Sequence, residues 1–290
     1  MSGKEREVPH ETGVRRAVVV PWNGAVTADD LRALFHAQVR LPDRDAAPGF
    51  VVDRDGPVHR TYPPDPGDHG AMVECPEGLG ADPDHWIARQ VDFFRGRQQT
   101  VEWKTYEHDE PADLPERLER AGFVPDDPEV VLLGRCEDLV HDVDLPEEVR
   151  LRDIEDDDDW ERVRVMVDAV WGGDSSWVND ALRAEQRSRP DLMTATVVEE
   201  AATGRVVSYA VLRLTEHTEF AGLWGGSTLP EWRRRGLYRA LVSHRAKIAL
   251  AQGYPYARVD TSPDSRPILT ALGMLPVEGT RPFLLRAARS

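Results

Sequence analysis

The apolar pattern of this chain runs through one order of elements twice, and that repetition limits its possible folds more than any single motif. Each half reads strand, helix, hairpin, strand, helix, strand, short helix ending at a glycine, strand. "LPERLERAGF" in the first half and "RPILTALGM" in the second hold matching places. Strands alternating with helices in this order predict an α/β fold built as a tandem repeat of one unit, and 290 residues suffice for two such units.

The first half opens with "RRAVVVPW", a short apolar strand, and "TADDLRALFHAQV", a helix with Leu31, Leu34, Phe35 and Val39 on one face behind a Thr27 cap. "FVVDRDGPVHRTY" folds back at Asp55-Gly56, and the Pro- and Gly-rich stretch 63–80 is loop around a short strand, "AMVEC". Asp82 and Pro83 start a helix through "DPDHWIARQVDFFRG". "QTVEWKTYEHD" alternates as a half-buried strand, and "PEVVLLGRC" is the last strand before the acidic stretch "EDLVHDVDLPEEV". That stretch holds the linker, and the expected units are residues 1–140, a linker at 141–147, and residues 148–290.

The second half repeats the order with "EVRLRDI", the helix "DDDDWERVRVMVDAVW", a second helix "WVNDALRAEQRS", and strands "MTATVVEE", "RVVSYAVLRLT" and "EFAGLWGGSTL". A metal site at Asp156 to Asp159 is disfavoured, because adjacent helical carboxylates splay apart; those acids suit the positive end of the helix dipole.

Composition narrows the function. Acidic residues outnumber basic ones 52 to 36, for a net charge of −16. Nonspecific nucleic-acid binding needs the opposite balance. No run approaches the roughly 20 apolar residues that span a bilayer, and the first residues lack the apolar core of a signal peptide. Cys75 and Cys136 have neither metal-ligand nor disulfide-framework spacing. The expectation is a cytoplasmic protein, monomer or homodimer, without membrane or nucleic-acid partners and without a metal.

Against that acidic background, "STLPEWRRRGLYRAL" gathers Arg233, Arg234 and Arg235 ahead of a helix whose apolar face is Leu237, Ala240, Leu241, His244 and Ile248. Free N–H groups and the dipole at a helix start favour an anion, and arginine adds charge-assisted hydrogen bonds to phosphate. Gly236 lets the backbone approach such a ligand. There is no Gly-Lys-Ser/Thr of a P-loop and no Gly-x-Gly-x-x-Gly of a dinucleotide fold.

"GGSTLPEWRRRGLYRALV" resembles the coenzyme A motif of the GCN5-related N-acetyltransferase (GNAT) family, Arg/Gln-x-x-Gly-x-Gly/Ala. Arg233, Gly236 and Tyr238 occupy its three positions, with tyrosine replacing the usual small residue. The resemblance covers about residues 148–290; the first half shares the order of elements as a degenerate copy. It implies tandem mixed sheets flanked by helices, and acetyl-CoA as cosubstrate. Thr228 and Leu229, beside Ser227, would face the pantetheine arm and acetyl carbonyl, and the backbone from Arg234 through Leu237 to Tyr238 would hold the pyrophosphate.

The implied activity is transfer of an acetyl group to a primary amine of a small molecule or peptide. Glu216, His217, Glu219 and Asp260 are candidate bases, each set against the commoner role of an exposed strand-end charge. The family's usual acid, a tyrosine in the short last helix, is replaced by Leu269, which leaves Ser262, Tyr238 or a water for that role. That gap keeps open a non-catalytic acyl-CoA-binding or sensing module. His244 reads as a packing histidine. Trp171, Trp177 and Trp224 are candidates for an acceptor pocket, against the commoner use of tryptophan in a core. The first half has acidic residues and an Asp82 cap where the arginines would stand, so no coenzyme site is expected there.

Overall fold

The computed structural model describes residues 26–40, 49–67 and 69–287; the strand expected at 15–22 lies outside the described residues. The first half supplies α1 (Ala28–Gln38), β1 (Val51–Asp55), β2 (Val58–Tyr62), β3 (Ala71–Glu74), α2 (Pro83–Gly96), β4 (Val101–Tyr106), α3 (Leu114–Arg120), a short β5 (Val124–Pro125) and β6 (Glu129–Arg135). The second supplies β7 (Val149–Asp153), α4 (Asp157–Trp171), α5 (Ser176–Ser188), β8 (Met193–Glu200), β9 (Val206–Leu214), β10 (Phe220–Thr228), α6 (Leu237–Ala251), β11 (Tyr256–Thr261), α7 (Arg266–Ala271) and β12 (Leu275–Leu285).

Local chemistry sets most boundaries. Thr27 and Asp30 form a reciprocal capping box at α1, and Asp82 caps α2 by accepting from His85 N. Asp156 caps α4, whose end is closed by Gly172 in the left-handed region.

All strands join one mixed sheet in the order β1-β2-β3-β4-β12-β6-β11-β10-β9-β8-β7, with β5 beside β12. The two halves exchange their last strands. β6 pairs antiparallel with β11 of the second half, and β12 pairs antiparallel with β4 of the first. A cut in the linker would strip β11 and β4 of these neighbours, so the halves share one sheet rather than closing two.

Helices cover both faces. α2 and α3 bury Ile87, Val91, Phe94 and Leu118 against Val73, Val101, Trp103 and Phe283. α6 packs Val242, Ala246 and Ala249 on Ala221 and Leu223 of the same layer. On the other face, α4 places Trp160, Val163 and Met166 in the core with Tyr209 and Val211, and α1 sets Leu31 and Phe35 in the cluster of Tyr106, Val131 and Phe220.

The sheet coils strongly. Lys104 of β4 reaches Asp260 of β11 at 2.7 Å although β12 and β6 lie between them in the strand order. Consequently β4 departs from the half-buried pattern: Lys104 and Tyr106 are buried along with Val101, Trp103 and Thr105.

Candidate functional site

The site starts where two parallel strands part. β10 and β11 pair only over Phe220–Gly222 against Tyr256–Arg258. Beyond Gly222 the strands are no longer paired, and β10 carries a bulge. Trp224 faces Val211 and Ser227 faces Tyr209, so Gly225 and Gly226 together oppose one residue of β9. Gly225 has φ +62°, a conformation that favours glycine.

Below the bulge the ladder resumes. Leu229 N–H donates to Val207 O at 3.0 Å, and Ser208 Oγ holds Ser227 O at 2.8 Å and Thr228 Oγ1 at 2.7 Å. Leu229 N–H thus belongs to the sheet. By the alternation of an antiparallel ladder, Thr228 N–H turns the other way, into the opening left by β11.

Three side chains frame the glycine pair. Tyr238 places its ring on Gly226, where an added Cβ would meet Cε2 at 2.6 Å. Tyr209 flanks Gly225, where the same construction meets its Cε1 at 3.4 Å. Arg245, 1% exposed, donates to the carbonyls of Leu241 (3.1 Å), Val211 (2.9 Å) and Trp224 (3.3 Å), so it ties α6 to the strand just ahead of the bulge. Burial pushes its pKa down to about 10, opposed by the two tyrosines. Burial raises both phenols, and Arg245 opposes the rise in each.

The strand leads through a turn at Pro230–Trp232 to the start of α6. Gly236, at φ +85°, precedes the helix and has no side chain to cap its N–H groups. The linker backs this point: a Cβ on Gly236 would lie 3.3 Å from Val143 Cγ1 and 3.8 Å from Asp144 O. Leu237 is buried in the core and contributes only backbone to the helix start. The three arginines are exposed but differ. Arg233 Nε braces the turn on Thr228 O at 3.2 Å. Arg235 stacks on Trp232 and pairs with Glu148 at 3.2 Å. Arg234, at φ +61°, has no carboxylate partner among the described residues.

The sequence candidates for proton transfer do not all meet. Glu216, His217 and Glu219 fall at the β9–β10 turn, about 20 Å from the bulge by strand rise. Glu219 is engaged there by Gln38, which donates to its carboxylate at 2.9 Å and accepts from its N–H at 2.8 Å. Asp260 and Ser262 do lie at the parting end of β11. Burial raises Asp260, but the Lys104 ammonium outweighs it and holds the carboxyl below its ordinary value. Ser262 is exposed and contacts Ser265 Oγ at 3.4 Å. Leu269 is buried in the core.

Other residues take structural places. His244 Nε2 meets Asp153 Oδ1 at 2.9 Å. Asp159 accepts from Arg152 in two hydrogen bonds. Among the described residues, no group of three or more His, Cys, Asp and Glu side chains is placed to hold a metal, and no helix is long and apolar enough to cross a membrane.

Residues that pattern reasoning missed are Arg245 and Tyr209. Both sit in apolar runs, so their only sequence signal was a polar group where the period demands an apolar one.

At the corresponding place in the first half, the start of α2 is capped by Asp82, and Leu79 N–H donates across to Glu110 O at 3.0 Å.

Comparison with known proteins agrees with this geometry. Residues 156–272 match the model of the Acetyltransferase (GNAT) family. A GCN5-related N-acetyltransferase from Kribbella flavida superposes with a TM-score of 0.63 at 16% identity, over 89% of this chain and 94% of that one. A tandem GNAT protein from the clavulanic acid biosynthesis pathway superposes at 0.60 with 17% identity, over 84% and 86%. A GCN5-related N-acetyltransferase from Sphaerobacter thermophilus gives 0.60 at 15%, over 82% and 83%. At these identities the structures show the fold. No curated protein matches in sequence. The second half therefore carries a GNAT-family segment, in a mixed α/β fold of the tandem GNAT kind.

Proposed function

Taking that segment as premise, we propose that the chain is an acetyl-CoA-dependent N-acetyltransferase acting on a primary amine of a small molecule or peptide. One observation carries the reading: β10 and β11 part after Gly222, and the strand beside the opening runs directly into an uncapped helix start lined by arginines. The opening suits a narrow arm, and the helix start suits a diphosphate at its mouth.

Acetyl-CoA, when bound, supplies an activated acyl group on a thioester. The N–H groups from Arg234 to Tyr238, with the Arg234 side chain adding its charge, hold the diphosphate. Ser227 and Thr228 line the opening, and Thr228 N–H is the donor aimed where a carbonyl oxygen gains charge. Tyr238, at the glycine pair, is the proton donor for the leaving thiolate, with Ser262 at the facing strand end as the second candidate. Glu219 lies at the far end of β10, so the amine proton leaves through water at the exposed end of β11 beside Asp260.

The proposed division of labour gives residues 148–290 the chemistry and residues 1–140 a supporting role across the shared sheet. A second reading, an acyl-CoA sensor, is favoured by Leu269, a buried apolar residue where the family's acid would stand.

Calorimetry with acetyl-CoA tests both readings, and absence of saturable binding in the micromolar range would refute them together. Thiol release with a panel of primary amines separates them. Binding without release for every amine leaves the sensor.

A further inference from the structure

Three tryptophans stand exposed on the face and at the end of the sheet where the strands part. Trp171 is 71% exposed, Trp177 46% and Trp224 46%; no other Trp, Phe or Tyr among the described residues is exposed. Exposed apolar surface gathered in one place marks a contact for something else.

Their placement is connected. Trp224 immediately precedes the bulge, and Trp171 Nε1 donates to Ser227 Oγ just beyond it at 3.1 Å. Trp177 stands in the first turn of α5, tied to the last turn of α4 that carries Trp171 by Ser175 N–H, which donates to Asp168 Oδ1 at 2.8 Å, and the Arg213 guanidinium lies 4.6 Å from the centre of the Trp224 ring. Beside the bulge, Tyr209 is 3% exposed and its hydroxyl has no hydrogen-bond partner among the described residues. Leaving a buried hydroxyl without a partner is costly, and this one lies beside Gly225 at the bulge.

The first half adds a ring of its own. His69 stacks on Trp177 with centroids 4.1 Å apart and planes 7° from parallel. Its loop, between β2 and β3, is tied down. Gln99, 1% exposed, accepts from Gly67 N at 3.0 Å and donates to the carbonyls of Gly67 (2.7 Å) and His69 (3.1 Å). Arg97 Nη2 donates to the carbonyls of Pro63 and Pro64, each at 2.9 Å. A loop anchored in this way presents His69 without a large ordering cost on binding.

From this arrangement we infer that the acceptor is a primary amine carrying a flat aromatic ring that stacks on the open face of Trp177, and that the first half fixes that indole through His69, which covers its other face, while the amine points to the bulge. The inference rests on the acyl-transfer reading above. An indole face rewards a flat ring through offset stacking beyond the area it buries, which an alkyl chain does not gain. The same indoles attract the ammonium before it loses its proton.

The test is calorimetry on the full chain, with 2-phenylethylamine, n-hexylamine and acetyl-CoA titrated separately. The expected result is a preference of about tenfold for the aryl amine over the alkyl amine. Trp177→Ala should abolish that preference and Trp177→Phe retain most of it. His69→Ala should weaken the aryl amine severalfold, and acetyl-CoA affinity should be the same in all three variants. Equal affinity for the two amines, or an aryl preference surviving Trp177→Ala, overturns the inference. Acetyl-CoA affinity lost in Trp177→Ala also overturns it, because the indole would then support the fold. If the aryl preference holds while acetyl-CoA binds to no form of the protein, the acyl-transfer reading fails and the ring site stands.

Discussion

The ring of Tyr238 lies against Gly226 so closely that a Cβ at position 226 would come within 2.6 Å of its Cε2. The glycine and the tyrosine thus form one wall of the opening between β10 and β11. Gly226→Ala must push the ring aside, an overpacking cost of about 1–3 kcal/mol. Its melting temperature should fall and acetyl-CoA binding weaken. Adding Tyr238→Ala should recover much of the stability loss, because the clash is pairwise. Independent, additive effects in thermal melts of the two single variants and the double variant would show that the ring is not that wall.

The arginine triplet should be unequal. Arg233 is committed to Thr228 O and Arg235 to Glu148, whereas the Arg234 side chain has neither a carbonyl nor a carboxylate partner among the described residues. Arg234→Glu should weaken acetyl-CoA by tenfold or more, as expected for losing a charge-assisted contact of about 1.5–3 kcal/mol and adding repulsion. Arg235→Gln should have the smaller effect. The ranking is read from calorimetric affinities at low and high salt, and equal losses would refute the distinction.

Arg245 should matter through the backbone it holds. Arg245→Met keeps the bulk and removes the donors to Leu241, Val211 and Trp224 carbonyls. Leu241 O keeps its helix donor, whereas each strand carbonyl left without a donor costs about 1–3 kcal/mol, offset in part because a buried cation is removed. Net destabilisation of about 1–3 kcal/mol is expected, together with weaker acetyl-CoA binding as the bulge loosens. Denaturant unfolding and calorimetry check the two effects. A variant of full stability and unchanged affinity would show that Arg245 is not needed to set the strand.

Acid stability should depend on the cluster of Arg152, Asp159 and Glu199. Hydrogen bonds from Arg152 overcome burial and hold Asp159 far below its ordinary range. Burial raises Glu199, but Arg152 and Arg150 outweigh it and leave it lowered. Groups whose folded pKa is depressed stabilise the fold above their unfolded values, about 3.9 and 4.3. That contribution is lost as pH falls through the folded values. Melting temperature should therefore hold above about pH 5 and decline below pH 4. Asp159→Asn should cost about 3 kcal/mol near neutrality and flatten the acid limb. A variant with the same acid limb as the parent would assign the decline to other carboxylates.

Much of the site's frame was legible in the sequence because it is local. Thr27, Asp82 and Asp156 mark helix starts through hydrogen bonds to residues three positions on. Gly236 marked the close approach at α6. What misled was charge at strand ends. Glu219 and Asp260 look alike in sequence, yet one is held by Gln38 at the far end of β10 and the other by Lys104 beside the opening. The tryptophans misled in the opposite sense, since core was the commoner expectation for residues that stand exposed.

The sequence by itself determined the order of elements and the uncapped, arginine-lined helix start, because periodicity, capping and backbone freedom act among near neighbours. Tertiary structure alone decided that β6 and β12 change places, that Lys104 crosses two strands to Asp260, and that His69 reaches Trp177. A strand's N–H and C=O groups are the same whichever strand it joins, so its partner is chosen by long-range packing. The coenzyme seat could be read along the chain, whereas the aromatic face proposed for the acceptor appears only once the two halves share a sheet.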